Sequence, residues 1–88
     1  MDIYGIAAFR SRQQVLKYES VFARSGIAVR VVSTPREIAV GCGLSLQFDV
    51  SSVRAVQAVL MRDRPSNLIG LYIVDHTGTR PRLTVISK

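Results

Sequence analysis

The order in which short apolar segments and helical repeats follow one another constrains the fold of this 88-residue chain more than any other feature. The run from Asp2 to Phe9 is short, apolar and bounded by charge, which predicts a buried strand. After it, Val15, Tyr18 and Phe22 recur at three- and four-residue spacings, the period of one helix face. The chain therefore opens with a strand followed by an amphipathic helix.

This first helix has its own start and stop signals. Ser11 and Gln14 have the spacing of a capping box, in which the serine side chain accepts a hydrogen bond from a free backbone N–H of the first turn. Gly26 is suited to the residue after the helix, because glycine adopts positive φ without strain. We expect a helix over residues 11–25.

The rest of the chain continues as strand, strand, helix and strand. In the third predicted strand, Leu44, Leu46 and Phe48 alternate with polar residues, which predicts one buried face and one solvent face. The remaining predicted elements are strands over Ile27–Ser33, Gly43–Val50 and Leu68–Val74, a helix over 52–62, and a short fifth strand over Leu83–Ile86.

This order is that of the α+β ferredoxin-like fold, a split βαβ (β-α-β-β-α-β) arrangement with both helices on one face of an antiparallel sheet. We expect a single domain over residues 1–75, followed by a turn and tail or an added strand over 76–88. The connection between the second and third strands then lies at the end of the sheet where the first helix starts and the second ends. The side chains expected there are Arg10, Arg12, Arg36, Cys42, Arg62 and Arg64, with Arg80 and Arg82 at the opposite end or along the sheet edge.

Composition excludes several classes of protein. The hydrophobic fraction of 48% argues against intrinsic disorder, and no apolar run is long enough to span a bilayer. We therefore expect a cytoplasmic protein without an anchor or signal peptide. One cysteine and one histidine cannot hold a structural zinc ion, and a single cysteine fits a reducing compartment. The net charge of +6 is spread evenly over both halves, so we expect weak, non-specific nucleic-acid binding at most.

The stretch from Thr34 to Gly43 is the strongest candidate for a functional site, because it is longer than an ordinary hairpin connection. Cys42 lies between Gly41 and Gly43, which leave the sulfur little shielded and allow successive amides to form an anion-binding nest. A nearby helix N-terminus and arginines would favour the thiolate. The alternative is a free cysteine buried as a small hydrophobic residue.

Charged residues around this stretch have two interpretations as well. Arg36 and Glu37 either form a solvent-exposed pair or place Arg36 against an anion or the Cys42 sulfur. Arg10 and Arg12 flank the predicted start of the first helix and are either solvated surface charges or part of the same anion site. His76 lies in a polar turn and is expected to be an ordinary turn residue away from Cys42.

The string Thr34-Pro35-Arg36-Glu37-Ile38, followed by Cys42-Gly43-Leu44 and an alternating strand, resembles the family of small bacterial selenium/sulfur carrier-like proteins. The resemblance covers roughly residues 3–74. It implies a carrier in which Cys42 holds a persulfide or selenopersulfide, with Arg36, Arg10 and Arg12 supplying a positive surround. It also implies a donor such as a cysteine desulfurase-type protein, and an acceptor protein. No cofactor is expected beyond the carried sulfur or selenium.

Two other functions stay open from the residues alone. One is a small-anion or ligand-binding regulatory module in which the same end of the sheet binds the ligand and Cys42 is incidental. The candidate binding residues at that end are Arg36, Gly41, Gly43, Thr34, Glu37, Arg10 and Arg12. The other is a ferredoxin-like RNA-binding domain. A homodimer through an edge strand is also open. A carrier rather than a stand-alone enzyme is the leading interpretation.

Overall fold

The computed structural model describes residues 2–38 and 43–87 of the chain and has the predicted order of elements. This part of the chain forms five strands and two helices, and a short 3-10 turn over Val50–Ser52 leads into the second helix. The elements are β1 (Ile3–Phe9), α1 (Arg12–Arg24), β2 (Val29–Ser33), β3 (Leu44–Phe48), α2 (Val53–Asp63), β4 (Leu68–Asp75) and β5 (Arg82–Ser87). The described part contains no helix long and apolar enough to cross a membrane.

The strands form one antiparallel sheet in the order β2-β3-β1-β4-β5, which confirms the α+β ferredoxin-like prediction. Strand β1 lies at the centre and pairs with β3 on one side and β4 on the other. The fifth strand pairs along β4, with Arg82 opposite Asp75. The sequence after His76 therefore extends the sheet by one edge strand.

Helix α1 forms as its end signals predict. The Ser11 side chain accepts from the backbone N–H of Gln14 at 3.4 Å. At the other end Gly26 has φ of 78°, and the N–H of Ile27 bonds to the carbonyl of Phe22 at 2.8 Å. This is the bond of a Schellman cap, and Ile27 and Phe22 both join the core beside it.

Helix α2 begins one residue later than predicted, because the 3-10 turn takes up the segment before it. Asp49 caps that turn through a hydrogen bond that its side chain accepts from the N–H of Ser51 at 2.9 Å. The helix ends at Asp63 and is followed by Arg64, which has φ of 49° and is the one non-glycine residue with positive φ in the described part of the chain.

Each face of the sheet has its own apolar cluster. Both helices pack on one face, where the buried residues are Ala7, Phe9, Val15, Tyr18, Phe22, Ile27, Leu46, Phe48, Val56, Val59, Leu60 and Leu71. The helix-free face carries a smaller buried cluster of Ile6, Ala8, Tyr72 and Val74. Its burial comes from neighbouring side chains of the sheet and from the β2–β3 connection, since Ile38 packs against this cluster.

The solvent face predicted for β3 is only partly correct. Gln47 is half-buried and Asp49 lies beyond the strand, but Ser45 is completely buried on the helix-free face. In the register of the sheet, Ser45 lies between Ala8 of β1 and Val32 of β2. Strand alternation cannot distinguish a face exposed to water from one covered by a distant part of the chain.

Candidate functional site

The β2–β3 connection lies at the end of the sheet where β1 ends and α1 begins. The pairs Ala8–Ser45 and Ser33–Leu44 bring the end of β2 and the start of β3 beside the end of β1. At the same end, the N–H of Arg10 bonds to the carbonyl of Asn67 at 2.7 Å and ties β1 to the segment before β4. The connection, the start of α1 and the end of α2 therefore share one end, as the topology predicts.

We call the base of this connection, where Thr34 lies beside Gly43 and Ser45, the neck. Two hydrogen bonds close it. The N–H of Thr34 donates to the carbonyl of Gly43 at 3.0 Å, which extends the β2–β3 ladder by one bond. The Thr34 hydroxyl oxygen Oγ1 lies 2.7 Å from Oγ of Ser45. Beyond the neck, the N–H of Ile38 bonds to the carbonyl of Pro35 at 3.0 Å and turns the chain back. The base of the connection is thus fixed by backbone and side-chain bonds.

Gly43 leaves room for the Thr34 hydroxyl. A Cβ atom added to Gly43 would lie 3.2 Å from Oγ1 of Thr34 and 3.9 Å from the carbonyl oxygen of Phe9. The first distance is closer than ordinary van der Waals contact, so a larger residue would displace the hydroxyl. Gly43 thus packs between Thr34 and the end of β1.

Cys42 and Gly41 lie outside the described residues. Their predicted roles as the sulfur site and as part of an anion nest therefore remain predictions. Cys42 is nevertheless one peptide bond from Gly43, whose surroundings are described.

The cations expected at this end are on the surface. Arg10, Arg12 and Arg36 are exposed, and so is Glu37. Within residues 2–38 and 43–87, the one ion pair joins Arg62 to Asp63 at 2.9 Å, so no Arg36–Glu37 pair forms there. The first turn of α1 holds no acidic residue, so its partial positive charge is not offset by a carboxylate from that turn.

Three carboxylates in the described residues, Asp49, Asp63 and Asp75, accept hydrogen bonds that stabilise the local fold. Asp63, at the end of α2, accepts hydrogen bonds from Arg62 and from the Tyr18 hydroxyl at 3.2 Å. The Arg62 bond is the main reason that the pKa of Asp63 lies below its usual value. Burial, with help from the bond to Asp63, raises the pKa of Tyr18. Asp63 is therefore bonded to Arg62 and Tyr18, and in the described residues it forms no ion pair with Arg10, Arg12 or Arg36.

The opposite end of the sheet holds the groups that the sequence placed away from the site. Arg82 lies opposite Asp75 in the β4–β5 pair. His76 stacks on Tyr4 with ring centres 5.8 Å apart, and its Nε2 lies 3.1 Å from the Tyr4 hydroxyl. The structure therefore brings Thr34, Gly43, Arg10 and Arg12 to one end and leaves His76 at the other. No cluster of three metal-ligating side chains occurs in the described part of the chain.

Two residues of this region were not singled out from the sequence. Ile38 belongs to the Thr34–Ile38 motif, and the structure shows that it also packs against the helix-free face. Ser45 was assigned to a solvent face, yet it is the one buried polar residue of the described part. The one indication in the sequence that Ser45 matters was its position between Leu44 and Leu46, just after the longest predicted connection.

Comparison with known proteins gives one finding. No significant match to this chain was found among curated proteins or solved structures. A family model described as "Putative Se/S carrier protein-like" matches residues 4–66, which include the β2–β3 connection and Cys42. This match covers most of the chain, and the chain belongs to the Se/S carrier protein-like family.

Proposed function

We propose that this protein carries sulfur or selenium on Cys42, as a persulfide or selenopersulfide, and transfers it between partner proteins. The observation that carries this proposal is the family match over residues 4–66, because it spans the chain's single cysteine. The neck supports it, since Thr34 and Gly43, which flank the segment that contains Cys42, are joined by a backbone hydrogen bond.

The proposed chemistry is exchange at a sulfane sulfur. The Cys42 thiolate attacks the terminal sulfur of a persulfide on the donor protein. A new S–S bond forms on Cys42, the donor's S–S bond breaks, and its electron pair leaves with the donor thiolate. No external oxidant or reductant is consumed. The same steps reversed, with an acceptor thiolate as nucleophile, release the cargo.

Positive charge at this end of the sheet favours both anionic forms of the cysteine. The exposed Arg10 and Arg12 and the start of α1 raise the local potential, and α1 has no acidic residue in its first turn. A thiolate and a terminal persulfide anion are both stabilised by such a potential. We therefore propose that Cys42 has a pKa below the ~8.5 of a free cysteine.

The test is transfer from a protein donor. The reduced chain is incubated with a cysteine desulfurase and labelled cysteine, and intact mass is measured without reductant. The expected result is a label on Cys42 and a gain of about 32 Da, the mass of one sulfur atom. The absence of label with several active desulfurases would overturn the carrier proposal.

A further inference from the structure

The outer edge of the sheet at β5 carries an inference about a partner of this chain. Strand β5 pairs with β4 on one side, and no strand of the described residues lies along its other side. Val85 in this strand is 49% exposed, more than any other large hydrophobic residue in a described strand. An edge strand that combines outward backbone groups with an exposed apolar side chain is a template for pairing with a further strand.

The hydrogen bonds of the sheet show which residues of β4 face β5. The N–H of His76 bonds to the carbonyl of Asp2 at 2.7 Å, one step beyond the last paired residues of β1 and β4. Because hydrogen-bonded pairs alternate along an antiparallel ladder, every second residue of β4 from His76 has its backbone groups toward β1. The N–H and C=O groups of the residues between, which include Ile73 and Asp75, therefore face β5.

The same alternation shows which residues of β5 face outward. Arg82 and Thr84 are the partners of Asp75 and Ile73, so their N–H and C=O groups face β4. The backbone groups of Leu83, which lies between them, point away from the sheet, and so do those of the following odd-numbered residue, Val85. After that the pairing with β4 shifts by one residue. The outward groups of β5 before this shift are therefore concentrated at residues 83 and 85.

These outward groups fit a second copy of the same strand in one register. With Thr84 opposite Thr84 of the other copy, Leu83 lies opposite Val85 and the two exchange both backbone bonds, which makes four bonds in the symmetric pair. A shift that places Leu83 opposite itself would face Val85 with Pro81, which has no N–H to donate. A shift that places Val85 opposite itself would face Leu83 with Ser87, whose backbone is turned toward β4 by the register shift.

Charge also favours β5 over the other edge of the sheet. Arg30 lies exposed in the middle of β2 and donates to Oε1 of Gln47 on β3 at 2.8 Å. A charged side chain within an edge strand opposes pairing with another strand. The one charged residue of β5 is Arg82 at its start. In the register centred on Thr84, each Arg82 lies opposite Ile86 and away from the other Arg82.

We propose that a second copy of this chain pairs along β5, antiparallel and with Thr84 at the two-fold axis. The resulting homodimer joins two five-stranded sheets into one continuous sheet. Its interface is isologous, since the same strand contributes both sides. Five paired positions in each copy, from Arg82 to Ile86, make a small interface, so the dimer forms at micromolar or higher concentration. The inference concerns the partner of this chain and does not depend on sulfur carriage.

Cysteine cross-linking tests the register. In C42S/T84C the two thiols of a dimer face each other across the two-fold axis, at the close Cβ separation of a non-hydrogen-bonded pair. Oxidised glutathione should therefore convert most of this variant to a disulfide-linked dimer. C42S/L83C and C42S/V85C should cross-link several-fold more slowly, because each thiol lies diagonal to its copy. C42S/T79C, with an exposed thiol in the β4–β5 connection, is the control for random collision.

Sedimentation of the unmodified chain tests the dimer itself. The wild type should change from monomer to dimer between micromolar and millimolar concentration. V85P removes an N–H that points outward and leaves the bonds between β4 and β5 in place, so the monomer should stay folded. It should weaken the dimer by about 30-fold, because two of the four backbone bonds between the copies are lost. V85T keeps the N–H and the β-branched shape and is the matched control.

A wild type that stays monomeric over this whole range would overturn the inference. A dimer that folded V85P leaves unchanged would overturn it as well, and V85K, which adds a charge to the edge, replaces V85P if that variant does not fold. Faster cross-linking through position 83 or 85 than through 84 would overturn the proposed register. Sulfur labelling of Cys42 is a separate measurement, so the failure of the dimer and the failure of the carrier proposal are distinguishable.

Discussion

The two connections between adjacent antiparallel strands are built in opposite ways. In the β4–β5 connection, residues 76–81 are all exposed, and Asp75 holds the turn by accepting bonds from the N–H and hydroxyl of Thr77. In the β2–β3 connection, Ile38 packs against the helix-free face and Thr34 bonds to buried Ser45. The first connection is held near the end of β4, by Asp75 and by His76, whose N–H bonds to the carbonyl of Asp2 and whose ring stacks on Tyr4, and its side chains are exposed. The second has a side chain packed on the sheet.

This difference separates a connection whose residues are exposed from one whose described residues Thr34 and Ile38 are bonded to or packed on the sheet. A turn whose side chains are exposed can change without disturbing the core. A connection whose residues belong to the core cannot move far without breaking core contacts.

The largest expected effect is the loss of sulfur transfer when the cysteine is moved from the β2–β3 connection to the β4–β5 connection. The variant C42S/T79C moves the only thiol to the exposed β4–β5 connection. We expect labelling by a cysteine desulfurase to be lost, because the new site lacks the neck and the positive end of α1. Labelling is measured by intact mass after incubation with the desulfurase and labelled cysteine.

The single variant C42S is the control for this exchange. It should also lose labelling and should change the melting temperature little, since Cys42 lies between two glycines in a connection. Equal labelling of C42S/T79C and wild type would show that any accessible thiol suffices, and the contrast between the connections would then have no functional meaning.

A stability difference of intermediate size is expected from truncating side chains in the two connections. Ile38→Ala removes a half-buried side chain from the helix-free face and should cost about 1–2 kcal/mol, less than at a fully buried site. Thr79→Ala changes an exposed residue and should stay within about 0.5 kcal/mol. Urea unfolding of both variants measures the difference. Similar small losses would mean that Ile38 does not anchor its connection.

Glycine-to-alanine substitutions should have opposite signs in the two connections. Gly43→Ala crowds the Thr34 hydroxyl at 3.2 Å and should destabilise by up to about 1 kcal/mol by distorting its bond to Ser45. Gly78→Ala meets only a carbonyl oxygen at 3.9 Å and has no positive φ, so a gain of about 0.4–1 kcal/mol is expected from the less flexible unfolded chain. Thermal unfolding at neutral pH measures both stabilities. A gain of stability in both variants would show that an alanine at position 43 does not crowd the Thr34 hydroxyl.

The smallest effect is a pH dependence that belongs to the β4–β5 connection alone. Hydrogen bonds from the Thr77 side chain and then its backbone lower the pKa of Asp75 from its ordinary 3.8. The stability this provides is present above pH 3.8 and is lost as pH falls through the lower pKa of the folded state. Thr77→Ala should therefore be less stable than wild type at neutral pH, and the difference should vanish in acid.

The variant T77S keeps the hydroxyl and is the matched control for this pH dependence. Its unfolding free energy should follow that of the wild type across the acid range, and an NMR titration should find the pKa of Asp75 unchanged. A T77A protein whose deficit persisted in acid would indicate lost packing rather than a lost bond to the carboxylate.

Much of the fold was predictable because its signals are local. Ser11 and Gly26 mark the ends of α1 through bonds within a few residues of each helix end, so their effect can be read from neighbouring sequence. The order of strands and helices then leaves few topologies for a short chain, and the observed sheet has the predicted one. The Thr34–Ile38 string with Cys42-Gly43 likewise indicated the family that the match over residues 4–66 shows.

The burial of Ser45 and the anchoring of Ile38 were decided by tertiary structure alone. Alternation along β3 separates two faces of a strand, but only the fold determines that the β2–β3 connection returns over the helix-free face. The Thr34–Ser45 bond joins residues eleven positions apart, across a segment whose path no local propensity specifies. Sequence thus determined which elements form and in what order, because caps and periodicity act over a few residues. Tertiary structure decided which polar groups are buried together, because burial depends on what the rest of the chain places above them.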